Sequence, residues 1–159
     1  MKTNEQKLSE IDHFSKLDET ELAKLLQDAE IRTYDVGEII LDPAKPRAGF
    51  TFLIEGRWWM SRHIVGAATP FEWTDDRPGN WHGGVALFDA VAPAHVKSEM
   101  PCEVIFVPAP LLAELAAKNA HLALAMLRGI QGGATVLYKH ATEGVAESAP
   151  SGPATGLTV

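Results

Sequence analysis

The stretch Pro78-Gly79-Asn80-Trp81-His82-Gly83-Gly84-Val85-Ala86-Leu87 is the most informative part of this chain. It contains three glycines and no aspartate, glutamate, lysine or arginine, and the next arginine after it is Arg128. Glycines at this density indicate a turn or loop. The stretch therefore predicts a glycine-rich loop without charged side chains.

Before and around this stretch the sequence pattern changes from helical to extended. Residues 5–28 have a helical period, and Asp18-Glu19-Thr20-Glu21 places acids at a helix start, where the macrodipole favours them. Short β-branched and aromatic runs then predict strands at 31–34, 38–41, 50–54, 57–65, 70–74, 85–87, 95–99 and 103–107. Many short strands separated by turn signals are typical of a sandwich, barrel or jelly roll.

From Pro108 onward the helical period returns. Pro108-Ala109-Pro110 predicts the start of a short helix, and Asn119 is expected to cap a longer one. The longer helix is apolar on more than one face, which favours packing on the strands and on a second subunit. Its glycines predict a kink or a close crossing; they are Gly129, Gly132 and Gly133. We expect one domain over 5–143 and a flexible tail over 144–159.

The order of these segments resembles the cyclic-nucleotide-binding domain family, the sensor module of catabolite-activator-type regulators, cyclic-nucleotide-gated channels and kinase regulatory subunits. The resemblance covers residues 8–141 and rests on Tyr34-Asp35-Val36-Gly37-Glu38-Ile39-Ile40, on Glu55-Gly56 and on the 78–87 stretch. It implies a mainly β fold, a double-stranded β-helix or jelly roll, with N-terminal helices and a long C-terminal helix. Family members also usually dimerise through that helix.

The resemblance also implies a degenerate phosphate-binding motif. In the family, a glycine-rich turn holds a cyclic phosphate, an acidic residue binds the ribose and an arginine further on neutralises the phosphate. Here Gly84 stands at the acidic position, and Ala92-Pro93-Ala94-His95 occupies the region of the arginine. Charge-assisted hydrogen bonds are about twice as strong as neutral ones. We therefore expect a pocket that does not bind cyclic AMP or cyclic GMP in the usual way.

Other basic residues could supply the missing positive charge. Arg57, Arg62 and Arg77 are predicted on solvated strand and loop surfaces. An inward-facing Arg62 could replace the lost cation, and Arg62 or Lys97 holding a cyclic nucleotide in the pocket would overturn the expectation of an unusual ligand.

Aromatic residues and histidines complete the predicted pocket. Adjacent residues of a strand face opposite sides, so one of Trp58 and Trp59 should face inward. An aromatic lining suits an uncharged or weakly charged, partly aromatic molecule, although tryptophans could equally fill the cavity. The predicted ligand-binding residues are Trp59, Trp81, His82, Gly83, Gly84, Val85, Ala86, Ala94 and His95.

Several classes of function have little support in the sequence. The net charge of -7 opposes binding to nucleic acid. The six histidines are far apart, so no metal site is predicted, and no motif indicates a cofactor or a catalytic nucleophile. Neither a signal peptide nor a membrane span is evident. The single cysteine, Cys102, gives no sign of an oxidising compartment and favours the cytoplasm.

These observations favour a non-catalytic, cytoplasmic small-molecule sensor or binding module that forms a homodimer through its C-terminal helix. One alternative is a structural or interaction module with a filled pocket. The other is an enzyme on the same scaffold that uses His82 or His95 as an acid or base.

Overall fold

The computed structural model describes residues 1–63, 68–83 and 94–147. Its helices lie at the two ends of the chain, as the sequence pattern predicted. The side chain of Asp18 caps the second helix by accepting from the backbone of Glu21 at 2.8 Å. Asn119 Oδ1 accepts from the Leu122 amide at 3.1 Å and starts the longest helix, as predicted. The helices are α1 Asn4–Ser9, α2 Glu19–Asp28, α3 Ala109–Lys118 and α4 Ala120–Glu147, with a short 3-10 turn at Asp12–Phe14.

Two four-stranded antiparallel sheets lie between the helical ends. The first sheet has the order β1-β8-β3-β6 and the second has the order β2-β7-β4-β5. The strands are β1 Glu30–Tyr34, β2 Ile39–Leu41, β3 Gly49–Glu55, β4 Trp58–Arg62, β5 Phe71–Asp75, β6 Trp81–Gly83, β7 His95–Ser98 and β8 Cys102–Pro108. This mainly β arrangement with flanking helices confirms the predicted jelly-roll class.

The alternation of side chains along β3 separates two apolar clusters. Phe50 and Phe52 pack on one side, together with residues of α1, α2, α3 and α4. Leu53 packs on the other side, where it meets Trp58 and Val96 of the second sheet. Fully burying a large apolar side chain contributes about 1.5–3 kcal/mol. The first sheet is therefore fixed on both faces, by the helices outside and by the second sheet inside.

The boundaries of three segments differ from those predicted or lie partly outside the described residues. The predicted strand at 85–87 lies outside the described residues, whereas β6, which was not predicted, forms directly before it. The strand predicted over 57–65 is described as β4 and ends at Arg62. Helix α4 extends to Glu147, four residues past the predicted domain end at 143. The remaining part of the predicted tail lies outside the described residues.

Cys102 begins β8 and is buried, as expected of a core thiol. Burial raises the pKa of this thiol. In the described part of the chain, no helix is both long enough and apolar enough to span a bilayer.

Candidate functional site

A cavity of about 740 Å³ opens between the jelly roll and helix α4. Its volume lies within the range of small-molecule pockets. Strands β4, β5 and β6 supply one side, and the residues of α4 between Ala125 and Leu137 supply the other. The lining includes apolar and aromatic residues, namely Met60, Phe71, Trp73 and Trp81, and polar residues, namely Arg62, Asp75 and His82.

Arg62, at the end of β4, faces this cavity. Side chains alternate along a strand, and Trp58 and Met60 of the inward face are 0% and 5% exposed. Arg62 follows on the same face and lines the cavity half-buried. Its Nε is buried and has no hydrogen-bond partner among the described residues. Burial lowers the pKa of the guanidinium. The expectation that Arg62 lies on a solvated surface is therefore wrong.

The other basic side chains near the site are placed differently. Arg57 is exposed and pairs with Glu99 at 3.2 Å, as expected for a surface residue. Arg77 is also exposed, and it reaches the cavity wall already paired with Asp75 at 2.8 Å. Lys97 is exposed on the outward face of β7. Of the two candidates for an inward cation, the structure selects Arg62.

His82 belongs to the first sheet. It lies across the cavity from Arg62, which belongs to the second sheet. In β6 it pairs with Thr51 of β3, and its ring centroid is 5.1 Å from that of Trp58. Burial is the main cause that lowers the pKa of His82 to about 4. The charge of Arg62 lowers it further, and Asp75 acts in the opposite direction. His82 is therefore neutral at neutral pH and offers one donor and one acceptor.

The carboxylate of Asp75 stabilises the turn that leads into β6 by accepting hydrogen bonds from residues of that turn. This carboxylate is 7% exposed and accepts from Trp73 Nε1 at 3.0 Å, from the backbone and guanidinium of Arg77, and from Asn80 Nδ2. Burial opposes its ionisation, but the hydrogen bonds from Arg77 and Trp73 outweigh burial and hold the pKa below its usual value. A buried carboxylate with several donors fixes the path of the chain toward His82.

Gly83 permits the close pairing of β6 with β3. Its φ is +131°, and a Cβ at this position would lie 2.2 Å from the Gly49 carbonyl oxygen. Only glycine fits both the backbone angle and the spacing. Trp81 lies on the face of β6 opposite to that of His82, where its ring meets Phe50 at a centroid distance of 5.4 Å.

Helix α4 forms the wall opposite the strands. A Cβ at Gly129 would lie 2.7 Å from Trp81 Nε1, so the helix approaches the indole closely at this glycine. Further along, Leu137 packs against the cluster between the sheets, and the His140 ring meets Phe71 at 5.3 Å. Gly129 thus permits a close contact with a strand residue, whereas the kink or close helix crossing expected from the glycines of α4 stays a prediction.

The structure brings together only part of the predicted pocket. Four of the predicted residues line the cavity: Trp81, His82, Gly83 and Ala94. Gly84, Val85 and Ala86 lie outside the described residues. Trp59 and His95 do not line the cavity, because they lie on the outward face of the second sheet, where their rings are 5.8 Å apart. Strand alternation explains this placement, since Trp58 and Val96 are the buried neighbours that face inward.

Sequence reasoning missed Asp75 and the residues of α4 as parts of the cavity, and it gave an inward-facing Arg62 only as the alternative to a solvated surface position. A signal for Arg62 was present, because choosing Trp58 rather than Trp59 as the inward residue also turns Met60 and Arg62 inward. No comparable signal exists for Asp75, whose role depends on donors that meet only in the folded turn.

Within residues 1–63, 68–83 and 94–147, no group of three histidine, cysteine, aspartate or glutamate side chains is arranged to hold a metal ion.

Solved structures with similar folds were found for most of the chain. The sensor domain of the transcriptional regulator DNR from Pseudomonas aeruginosa has a TM-score of 0.64 at 18% identity, over 81% of this chain and 91% of that one. PKAR CBD2 with bound Sp-2Cl-cAMPS has a TM-score of 0.65 at 21% identity, over 86% and 88%. The regulatory domain of Toxoplasma gondii PKA with cAMP has a TM-score of 0.62 at 16% identity, over 80% and 48%.

No protein-family model matches the chain, and no curated protein matches it either. The structural matches show that the chain has the fold of cyclic-nucleotide-binding domains, as the order of its sequence segments indicated.

Proposed function

We propose that this protein is a non-catalytic sensor module that binds a small molecule between its jelly roll and helix α4. The cavity of about 740 Å³ carries this proposal, because Arg62 and His82 converge in it on apolar and aromatic walls. A few polar groups in a mostly apolar pocket are typical of ligand sites. The similar folds of two cAMP-related complexes, PKAR CBD2 and the Toxoplasma gondii PKA domain, add support.

We also propose that cyclic nucleotides are not bound in the manner usual for this fold. Gly84 replaces the acid, and the segment Ala92-Pro93-Ala94-His95 lacks the arginine. Arg62, the half-buried arginine of the cavity, belongs to β4 and not to the glycine-rich stretch. The positive charge that neutralises a cyclic phosphate would therefore come from β4 and not from the glycine-rich stretch.

The alternatives receive less support. A structural module with a filled pocket is disfavoured by the open volume beside Phe71 and Trp73. For an enzyme, His95 lies away from the cavity, and Glu99, an acid close to it in sequence, pairs with Arg57. His82 holds its proton too weakly at neutral pH to be an efficient general acid.

We further propose a homodimer formed through α4. Four large apolar side chains of this helix are exposed: Leu124 by 52%, Leu127 by 61%, Val136 by 38% and Tyr138 by 73%. Exposed apolar groups on one helix are a common feature of protein interfaces.

We propose the cytoplasm as the location of the protein, because its one cysteine has no partner for a disulfide within the chain.

A panel of metabolites and cyclic nucleotides tested by thermal shift examines the sensor proposal. We expect at least one compound to raise the melting temperature by several degrees in a concentration-dependent way, because binding to the folded state adds RT ln(1 + [L]/Kd). Ala134→Trp, which adds bulk to the cavity wall, should reduce that shift. Ala113→Trp is the matched control, because Ala113 is an exposed helical alanine that does not line the cavity. An equal shift in both variants would contradict binding in this cavity.

A further inference from the structure

We propose that the cavity selects anionic small molecules and that Arg62 of β4 holds their acidic group. This inference rests on the proposed function, because it names the class of ligand for the same cavity. It replaces the expectation of an uncharged or weakly charged ligand.

The surroundings of Arg62 indicate a missing counter-charge. Its side chain is half-buried, and its Nε is buried without a partner in the described part of the chain. Burial lowers the pKa of the guanidinium, and no neighbouring charge among the described residues opposes this effect. A buried charge is costly unless it is paired and hydrogen-bonded. Arginine keeps its proton under these conditions, and an anion bound in the cavity would supply the compensating charge.

The acids that line the cavity already have other partners. Asp75 accepts from Arg77 and Trp73. Asp12 lies 3.3 Å from His121, and Asp42 accepts from a loop amide at 2.9 Å. Among the described residues, none of these carboxylates pairs with Arg62. The three acids described in the cavity wall therefore leave the guanidinium available to a ligand.

The other arginines of the cavity wall are less suited to this role. Arg47 pairs with Glu30 at 2.6 Å and lies 3.6 Å from the Phe106 ring centroid. Arg77 is paired with Asp75, and Arg128 is exposed to solvent. A solvated cation contributes little to selectivity, whereas a half-buried guanidinium can bind a carboxylate, sulfonate or phosphate through two parallel hydrogen bonds.

The neighbours of Arg62 define the rest of the ligand. Phe71, its cross-strand partner, stacks with Trp73 at an interplanar angle of 18° and offers a flat apolar surface. His82 adds a neutral donor and acceptor and no second positive charge. This combination fits an aromatic or apolar body that carries one acidic group.

Two fluorescent probes of similar shape test the inference on the full chain. 1-Anilinonaphthalene-8-sulfonate carries a sulfonate, and N-phenyl-1-naphthylamine has the same aromatic body without it. We expect Arg62→Gln to weaken binding of the sulfonate about tenfold or more and to leave the neutral probe unchanged. Arg62→Lys should weaken binding of the sulfonate less, because lysine keeps the positive charge but lacks the planar guanidinium that makes two parallel hydrogen bonds. Arg57→Gln, at an exposed arginine, is the control and should change neither probe.

The outcomes distinguish this inference from the proposed function. If the neutral probe binds and Arg62→Gln leaves the sulfonate affinity unchanged, the cavity binds ligands but Arg62 does not select anions. If Arg62→Gln weakens both probes equally, the role of Arg62 is structural and the inference fails. If neither probe binds the wild-type chain, the sensor function itself is contradicted. Displacement of the sulfonate by benzoate but not by benzamide supports the inference, and the reverse preference overturns it.

Discussion

At the scale of single residues, the balance between Arg62, His82 and Asp75 determines the charge of the cavity. Asp75 remains ionised because its hydrogen bonds outweigh burial, while His82 is neutral because burial and Arg62 both disfavour its proton. The cavity therefore contains a half-buried arginine whose Nε has no partner among the described residues, beside a neutral imidazole.

The neutral state of His82 predicts a loss of stability in acid. Its pKa is about 4 in the fold and 6.5 in an unfolded chain, so between these values only the unfolded chain takes up the proton. The free energy of unfolding should fall as pH drops from 6.5 to 4, by at most about 3 kcal/mol from this residue. His13 and Asp75, whose pKa values are also lowered, change stability in the same direction.

Urea denaturation between pH 7 and pH 4 measures this effect. We expect a shallower pH dependence for His82→Gln than for the wild type, because the variant has no imidazole to titrate. His63→Gln, at an exposed histidine, is the control and should follow the wild type. Parallel pH curves for His82→Gln and the wild type would contradict the neutral, buried state of His82.

At the scale of elements, the close contact between α4 and β6 depends on one glycine. Gly129 lies against the indole of Trp81, whereas a Cβ at Gly133 would meet no atom within 4 Å. The same substitution should therefore have opposite effects at two positions of one helix.

Gly129→Ala should destabilise the protein by about 1–3 kcal/mol, because the helix must move away from the indole or strain the contact. Gly133→Ala should stabilise it by about 0.5–1 kcal/mol, because alanine is the better helix former. Chemical denaturation gives both values, and Trp81 fluorescence reports the displacement of the helix. Equal stabilisation by the two substitutions would show that α4 does not pack on Trp81 in this way.

Most elements could be predicted from local sequence, and the cavity could not. The helix starts at Pro108 and Asn119 follow from capping and proline preferences, which act within a few residues. The short strand β6 has no such signal, because three residues form a strand only through pairing with β3. Whether Arg62 faces inward depends on the face that Trp58 occupies, and this is set by tertiary packing.

At the scale of the whole molecule, helix α4 has two different tasks. One side closes the cavity through residues such as Gly129 and Leu137, and another exposes Leu124 and Leu127. If the proposed dimer forms on the exposed side, ligand binding and assembly share one helix, and a shift of α4 would affect both.

Leu127→Glu should convert the dimer to a monomer, because it places a charge among apolar contacts at the interface. Size-exclusion chromatography with light scattering at micromolar concentration measures the mass. Met100→Glu serves as the control, because Met100 is also a large exposed apolar residue, 48% accessible, but lies in a turn outside α4. A monomeric mass for the wild-type chain would rule out the proposed dimer at that concentration.

The buried position of Cys102 makes this protein convenient for site-specific labelling. Thiolates react with maleimides and thiols hardly do, so a cysteine that is covered by protein and has a raised pKa should react slowly. A second cysteine placed at exposed Thr135 of α4 could then carry a dye without removal of the native one. Such a dye would report whether the surroundings of α4 change when a compound binds in the cavity.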